Sequence, residues 1–232
     1  MAEQALELTD LRYGYPGGPL VIEVASYGLG AGEQALMVGS SGSGKSTLLQ
    51  LIAGLLDADA GAVFVGGTDL GSLRGASRDR CRGRSVGMVF QTLNLLVGFS
   101  AVENVLAALM FGQKPAAEHR ARAEGLLGRL GVERIDARVE SLSVGQQQRV
   151  AVARALACGP ALVLADEPTA SLDPENAAVA VELLKEVCQE EGASLLMVSH
   201  DPAMRERFGR VDELASINRA SEPAGIGGQV QA

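Results

Sequence analysis

The sequence has no tryptophan, and only 3% of its residues are aromatic. Hydrophobic residues nevertheless make up 47% of the chain and charged residues 21%, a composition that excludes disordered and fibrous proteins. The core is therefore expected to consist of aliphatic side chains. At 232 residues, the chain is long enough to bury such a core within one large catalytic domain.

The chain also lacks an excess of basic residues. Its 20 lysines and arginines are outnumbered by 28 aspartates and glutamates, which gives a formal net charge of -8. Proteins that bind nucleic acid normally present a basic face that displaces counterions from the phosphates. The charge balance therefore argues against nucleic acid as a partner.

No apolar run approaches the roughly 20 residues needed to span a bilayer, and the first residues do not show a basic segment followed by an apolar one. We therefore expect a cytosolic chain that acts at a membrane only through a separate partner. The three cysteines, Cys81, Cys158 and Cys188, lack the C-x-x-C spacing of a zinc site. Their number and spacing predict reduced thiols.

Short apolar runs alternate with segments of helical periodicity along most of the chain. The runs predict strands at 6–15, 20–27, 34–38, 62–65, 86–90, 161–165 and 194–198. Helical patterns cover 46–56, 143–158 and 175–190, and an alanine-rich helical insertion extends through 101–138. This order predicts an α/β fold with a buried, mostly parallel sheet flanked by helices.

A glycine-rich segment follows the predicted strand at 34–38 and opens the first helix. It matches the G-x-x-x-x-G-K-[ST] pattern with Gly39, Ser40, Ser41, Gly42, Ser43, Gly44, Lys45 and Ser46, followed by Thr47. Such a loop turns backbone N–H groups toward phosphate oxygens at the positive end of a helix. The pattern predicts that Lys45 binds the β- and γ-phosphates of ATP and that Ser46 places its hydroxyl on Mg²⁺. A flexible glycine-serine turn is the alternative, and the position between strand and helix argues against it.

Polar residues end three other predicted strands. Asp166 and Glu167 follow the run at 161–165, where Asp166 is predicted to hold Mg²⁺ and Glu167 to polarise the attacking water. Gln91 and His200 end two further strands. Because the carboxyl ends of parallel strands meet at one crevice, these side chains are predicted to form a catalytic group, with Gln91 also available to Mg²⁺. Taken singly, the carboxylates could be a solvated strand end, Gln91 a turn cap and His200 a structural residue.

The order of these elements resembles the nucleotide-binding subunits of ATP-binding cassette (ABC) proteins, from about Leu6 to Val211. Segment 142–149, LSVGQQQR, is similar to the signature peptide of that family. The resemblance implies an ATPase with a P-loop NTPase core, an N-terminal antiparallel β-subdomain and a helical signature subdomain at about 92–158. It also implies a head-to-tail homodimer or pseudo-dimer with two ATP molecules between the subunits. Such a dimer drives integral-membrane permease subunits from the cytoplasmic face of the inner membrane.

The resemblance assigns further residues to these roles. It implies contacts with ATP from Tyr15, Ser143, Gly145, Gln146 and Asp173, and it matches Gln91 to the Q-loop and His200 to the switch histidine. Ser143, Gly145 and Gln146 would contact the ATP held by the other subunit. Tyr15 matches the aromatic residue that stacks on adenine, and Tyr13 is a close competitor. Asp173 belongs to the segment at 171–173 that matches the D-loop.

The sequence departs from the family pattern at two places. Val144 stands where glycine is usual, and altered packing or kinetics is expected rather than loss of function because its N–H group remains. The ending RVDELASI, at 210–217, lacks the usual Asp-Gly turn and final strand. We accordingly predict one domain over 1–215 and a flexible tail over 216–232.

Segments 87–96 and 101–105 are similar to the ABC branch that includes lipoprotein-releasing, macrolide-export and cell-division ATPases (LolD-, MacB- and FtsE-type). This branch favours a subunit that powers export or extraction of a lipid, lipoprotein or drug-like substrate. The alternatives are a regulatory ATPase that moves no substrate, as in cell division, and a soluble enzyme. The arginine-rich stretch at 74–84 fits the same branch and is interpreted as a solvated basic face.

Overall fold

A computed structural model describes residues 4–113, 115–170 and 172–220. The strands are β1 (Gln4–Gly14), β2 (Leu20–Gly30), β3 (Gln34–Val38), β4 (Ala60–Val65), β5 (Thr68–Asp69), β6 (Val86–Val89), β7 (Leu162–Asp166), β8 (Ser194–Ser199) and β9 (Val211–Glu213). The helices are α1 (Lys45–Ile52), α2 (Gly75–Ser85), α3 (Ala101–Leu109), α4 (Ala116–Arg129), α5 (Val144–Leu156), α6 (Pro174–Glu190) and α7 (Leu214–Ile217). Short 3₁₀ turns occupy Leu70–Ser72, Val139–Ser141 and Pro202–Arg207.

The smaller sheet is antiparallel, with the strand order β2-β1-β4-β5. Its strand β1 pairs on both sides, so that Leu8 lies opposite Tyr27 of β2 and Val63 of β4. Leu6 and Leu8 are fully buried, whereas Glu7 between them is exposed. This period of two is the pattern of a strand with one face on the core.

The larger sheet is parallel, with the strand order β6-β7-β8-β3-β9. Both of its faces are covered: Ala35 and Met37 pack with the antiparallel sheet and α1, while Leu36 and Val38 pack with α3 to α6. Burial on both faces explains why these strands are continuous apolar runs in the sequence. A parallel core beside an antiparallel sheet confirms the predicted fold class.

Helices α3, α4 and α5 follow one another between β6 and β7. The first of them begins at a capping box, in which Ser100 Oγ accepts a hydrogen bond from Glu103 N and the Glu103 carboxylate accepts one from Ser100 N. Leu109, Leu126 and Val150, one from each helix, are buried in the same apolar cluster. These helices occupy the segment for which the resemblance predicts a helical subdomain.

The carboxyl-terminal part of the fold differs from the prediction. Strand β9 pairs with β3, so the expectation that a final strand is missing is wrong. Residues 216–220, placed in the tail by the sequence, include the end of α7 and Asn218. Asn218 accepts a hydrogen bond from Glu23 N at 2.7 Å and donates one to Val21 O at 2.9 Å, as a neighbouring strand would. The rest of the predicted tail, 221–232, lies outside the described residues.

Two helices also differ from the sequence prediction. The helix predicted over 46–56 ends at Ile52, because Gly54 adopts a φ of 66° in the left-handed region that ends helices. The arginine-rich stretch forms α2, which has no buried residue and therefore no apolar face for a periodicity search to detect. Over the described ranges, none of the helices is long and apolar enough to cross a bilayer.

Candidate active site

Residues 39–44 form the loop that joins β3 to α1. Gly42 and Gly44 have φ angles of 78° and 97°, a region in which residues with a Cβ atom are strained. A Cβ atom on Gly44 would also lie 3.0 Å from Ile22 Cδ1. These glycines allow the loop to turn back over the first turn of α1, where unpaired backbone N–H groups favour an anion.

Lys45 is buried at the start of α1, beside the loop. Its Nζ donates hydrogen bonds to the carbonyl oxygens of Gly39 at 2.7 Å and Ser40 at 2.8 Å. Ser43 Oγ is buried and has no hydrogen-bond partner among the described residues. A buried ammonium group and an unpaired hydroxyl beside a helix N-terminus are donors that phosphate oxygens would accept from.

Ser46 and Asp166 bring two oxygen ligands together next to this loop. Ser46 Oγ donates to Asp166 Oδ1 at 3.1 Å. Burial raises the pKa of the Asp166 carboxyl above its usual value, and it outweighs the opposite effect of the Ser46 hydrogen bond. A partly desolvated carboxylate gains from a nearby cation, and hydroxyl and carboxylate oxygens are ligands that Mg²⁺ prefers. The pair therefore fits the predicted magnesium ion.

Glu167 follows β7 in an unusual backbone conformation. Its φ of 45° lies in the left-handed region, which costs a non-glycine residue roughly 1–2 kcal/mol. The carboxylate contacts two side chains at the end of β8, with Oε1 2.7 Å from His200 Nδ1 and Oε2 3.2 Å from Ser199 Oγ. The Glu167 backbone N–H also donates to Val198 O at 3.0 Å. The end of β8 therefore holds both the backbone and the carboxylate of this residue.

Ser199 is a site residue that the sequence analysis missed. Its side chain is buried, and its Oγ accepts a hydrogen bond from Asp201 N at 3.1 Å. With that bond accepted, the hydroxyl proton is available for the Glu167 carboxylate. The sequence signal for this role is a serine that ends an otherwise apolar strand.

The carboxyl ends of the parallel strands border a cleft of about 530 Å³. It is lined by Tyr15, Val21, Ser41, Gly42, Gly44, Lys45, Ser46, Thr47, Gln91, Glu167 and His200. The structure thus brings the predicted phosphate loop and the predicted catalytic side chains to one place. This convergence follows from strand order, since β6, β7, β8 and β3 are consecutive neighbours in the sheet.

Two tyrosines lie near the cleft, and Tyr15 is the one that lines it. Tyr15 is 46% exposed, whereas Tyr13 is 7% exposed. Their ring centroids are 5.2 Å apart at an interplanar angle of 81°, and the Tyr15 hydroxyl lies 3.0 Å from Thr47 Oγ1. Tyr15 is therefore a fixed aromatic ring with accessible surface, which suits stacking on a base better than the buried Tyr13 does.

The predicted signature residues do not line this cleft. Ser143 caps α5 by accepting a hydrogen bond from Gln146 N at 3.3 Å, and Asp173 caps α6 by accepting one from Asn176 N at 3.1 Å. Ser143, Gly145 and Asp173 line a separate groove of about 370 Å³ between the two helices. Ser171, in the predicted D-loop, lies outside the described residues. Within one chain, the signature peptide and the nucleotide cleft are different surfaces.

The family description “ABC transporter” matches residues 22–170, which contain the phosphate loop, the signature peptide and the two carboxylates. The chain belongs to the ABC transporter family. This ABC protein is 44% identical over 220 residues to the lipoprotein-releasing system ATP-binding protein LolD of Anaeromyxobacter dehalogenans, covering 92% of each chain. It is 47% identical over 184 residues to the lipoprotein-releasing system ATP-binding protein LolD 1 of Caulobacter vibrioides, covering 78% of this chain and 79% of that protein.

Solved ABC cassettes share the fold. MJ0796, known as a dimer and in a post-hydrolysis state bound to ADP and Pi, is 32% identical with a TM-score of 0.79, covering 90% of this chain and 93% of that one. CbiO1 from Clostridium perfringens is 30% identical with a TM-score of 0.76, covering 86% and 79%. The family match and the shared fold establish this ABC chain as the ATP-binding, ATP-hydrolysing subunit of a transporter.

Proposed function

We propose that the chain powers a separate integral-membrane permease that extracts or exports a lipoprotein or a related lipid. The proposal places it on the cytoplasmic face of the inner membrane. The observation that carries it is a cleft lined by the phosphate loop together with Gln91, Glu167 and His200, in a chain whose curated relatives are named as lipoprotein-releasing ATP-binding proteins. The exposed surface of the helical segment, described below, supports a membrane-protein partner.

The cleft residues divide the binding of ATP among them. Tyr15 stacks on the adenine. Lys45 gives up its hydrogen bonds to the two loop carbonyls and binds the β- and γ-phosphates, whose negative charge attracts its ammonium group. Bound beside Ser46 and Asp166, Mg²⁺ would supply positive charge that offsets the charge of the phosphate oxygens. The first turn of α1 contributes backbone N–H groups to the same oxygens.

Glu167 is the general base in this proposal. It takes a proton from the water that attacks the γ-phosphate, and Gln91 helps to place that water and the metal. His200 and Ser199 each contact one carboxylate oxygen, so the carboxylate keeps one orientation while it accepts the proton. Holding the base fixed in this way lowers the cost of reaching the reactive geometry.

A second copy of the chain would complete each ATP site. Ser143 and Gly145 lie at the N-terminus of α5, where backbone N–H groups favour a phosphate, yet they are outside the cleft of their own chain. We propose a homodimer in which this terminus contacts the ATP bound by the other copy. MJ0796, which shares the fold, has been solved as a dimer, and this supports the proposal that two copies associate.

Exposed apolar side chains on the helical segment form the proposed permease surface. They are Leu96, Val97 and Phe99 in the loop before α3, and Met110 and Phe111 just after it. These residues lie at the two ends of α3, and the three in the loop before it are within four positions of one another. Large apolar side chains exposed close together are a common mark of a protein interface. Because the same loop begins at Gln91, a permease bound here would act directly on the edge of the nucleotide cleft.

Val97→Glu should weaken permease binding at least about 10-fold, because it places a carboxylate in an apolar contact. Val97 is 76% exposed, so the substitution should leave folding and the ATPase rate of the purified subunit unchanged. The measurement is mass spectrometry of proteins that co-purify with the tagged subunit from solubilised membranes of its native host. Leu55→Glu, at another exposed apolar residue outside the helical segment, is the matched control.

Stoichiometric recovery of a multi-span permease with a large extracytoplasmic domain, lost in Val97→Glu and kept in Leu55→Glu, would support the proposal. Recovery of a cell-division protein would instead favour the regulatory alternative. Equal recovery of the permease by both variants would show that the docking surface lies elsewhere.

Ser199→Ala should lower kcat on the order of 10-fold and change the KM for MgATP less than about twofold, because a hydrogen bond to a charged carboxylate is lost. Ser194→Ala is a matched control at the other end of β8. Ser194 Oγ donates to Gly30 O at 3.0 Å and accepts from Gly32 N at 2.8 Å, so its loss should lower the melting temperature without lowering kcat. A wild-type kcat in Ser199→Ala would show that the carboxylate does not need this hydroxyl.

A further inference from the structure

The chain makes an unusual turn directly after Gln91. Leu93 and Asn94 have φ angles of 51° and 48°, so two consecutive non-glycine residues are left-handed. Asparagine tolerates this region, but leucine has no side-chain group that compensates for it. Such a turn persists only where surrounding contacts determine it. Within the turn, Leu93 N donates to Phe90 O at 3.0 Å, and Thr92 Oγ1 donates to Asn94 Oδ1 at 3.0 Å. From outside the turn, an arginine side chain contacts the carbonyl groups of Leu93 and Asn94.

Arg154 on α5 makes both contacts. Its Nη2 donates to Leu93 O at 2.7 Å and its Nη1 donates to Asn94 O at 2.5 Å. The side chain is half-buried, and burial lowers the pKa of its guanidinium. Among the described residues Arg154 forms no ion pair, so the two carbonyls are what this desolvated charge bonds with. Two parallel donors on a planar group fix the turn more strictly than a single contact would.

The same helix carries the signature peptide at its other end. Helix α5 runs from Val144, next to Ser143, to Leu156, so Arg154 lies in its last turn. A continuous α-helix moves largely as a rigid body, and its hydrogen-bonded side chains move with it. The far end of the loop has its own anchor, because the buried Asn104 accepts from Leu96 N at 2.7 Å. A shift of α5 relative to the parallel sheet is therefore transmitted to the loop between Gln91 and Leu96 through the carbonyl contacts of Arg154.

We propose that Arg154 is a positioning residue that ties the signature helix to Gln91. When the signature end of α5 engages the ATP of a second copy, Arg154 carries that displacement to the turn at Leu93 and Asn94. Gln91 is then moved relative to the nucleotide cleft that it lines. The inference rests on the proposed dimeric ATPase and adds a mechanical link between its two ATP-contacting surfaces.

A double-mutant cycle on the full-length protein tests this link. Arg154→Ala and Gln91→Ala should each lower kcat on the order of 10-fold while the Kd for MgATP stays within about twofold. If Arg154 acts through Gln91, the double variant should be no slower than Gln91→Ala alone.

Arg122→Ala is the control. Arg122 also donates to backbone carbonyls at the end of α5, those of Leu156 and Ala157, but its hydrogen bonds do not include the loop between Gln91 and Leu96. Arg122→Ala should lower the melting temperature. Its kcat, calculated per folded molecule, should equal that of the wild type.

Arg154→Lys keeps the positive charge and removes the planar pair of donors, so we expect this variant to fold. Combined with Gln91→Ala, it provides a second double-mutant cycle. It should give an intermediate kcat, and its effect should also vanish in the Gln91→Ala background. A double variant whose loss is the product of the two single losses, about 100-fold, would overturn the proposal in either cycle. A wild-type protein that fails to hydrolyse MgATP would contradict the proposed function itself, which separates the two failures.

Discussion

Glu167→Gln should bind MgATP with the wild-type affinity and hydrolyse it at least about 100-fold more slowly. The amide has nearly the size of the carboxylate and can still accept a hydrogen bond from Ser199, but it cannot take a proton from water. Because hydrolysis of ATP allows the two copies of the proposed dimer to separate, the variant should accumulate as a dimer in MgATP. Phosphate release and light scattering after size-exclusion chromatography measure the two effects.

Glu186→Gln provides the control for that experiment. Glu186 is exposed on α6 and does not line the nucleotide cleft. Its substitution removes the same charge from the chain, so the hydrolysis rate and the monomer–dimer ratio should match those of the wild type. Hydrolysis at the native rate by Glu167→Gln would show that a different group accepts the proton.

Lys45→Ala should raise the Kd for ATP on the order of 100-fold, since it removes a charged, buried donor from the phosphate loop. Lys45→Ala is expected to impair ATP binding, whereas Glu167→Gln is expected to bind ATP normally and to impair only its hydrolysis. Calorimetric titration with ATP in the presence of Mg²⁺ measures the Kd directly. Retained affinity in Lys45→Ala would contradict the assignment of the loop to phosphate.

Lys185→Ala is the matched control for the loss of a lysine. Lys185 is on α6 and does not line the cleft. Its ammonium group lies 5.2 Å from the centroid of the Phe208 ring and donates a hydrogen bond to Arg207 O. This substitution should lower the melting temperature while the Kd for ATP stays at the wild-type value. The comparison separates a general loss of stability from the loss of a phosphate ligand.

The parts of the site that the sequence predicts are those encoded locally or by topology. The phosphate loop is contiguous, and its glycines, lysine and hydroxyl can be recognised without knowing the rest of the fold. Asp166, Gln91 and His200 are far apart in the chain, but each follows an apolar strand. Parallel strands end at one edge of their sheet, and that rule is sufficient to bring the three residues together.

Ser199, Arg154 and Asn218 show what the sequence does not reveal. Each acts by a hydrogen bond to a group whose position depends on packing: the Glu167 carboxylate, the carbonyls of a left-handed turn, and the backbone of β2. The partners of Arg154 and Asn218 are backbone groups, which are chemically alike at every residue, so no residue pattern marks them. Arg154 in particular has the sequence context of an ordinary arginine on an amphipathic helix.

The strand that carries the phosphate loop pairs with strands that are synthesised much later than itself. Strand β3 pairs with β8 and β9, and Asn218 bonds to Glu23, 195 residues earlier in the chain. A growing chain emerges from the ribosome with its N-terminus first, and distant pairings form only when both partners are present. The phosphate loop is therefore translated long before β8 and β9 complete its sheet, so ATP cannot stabilise the folded form until those strands have emerged.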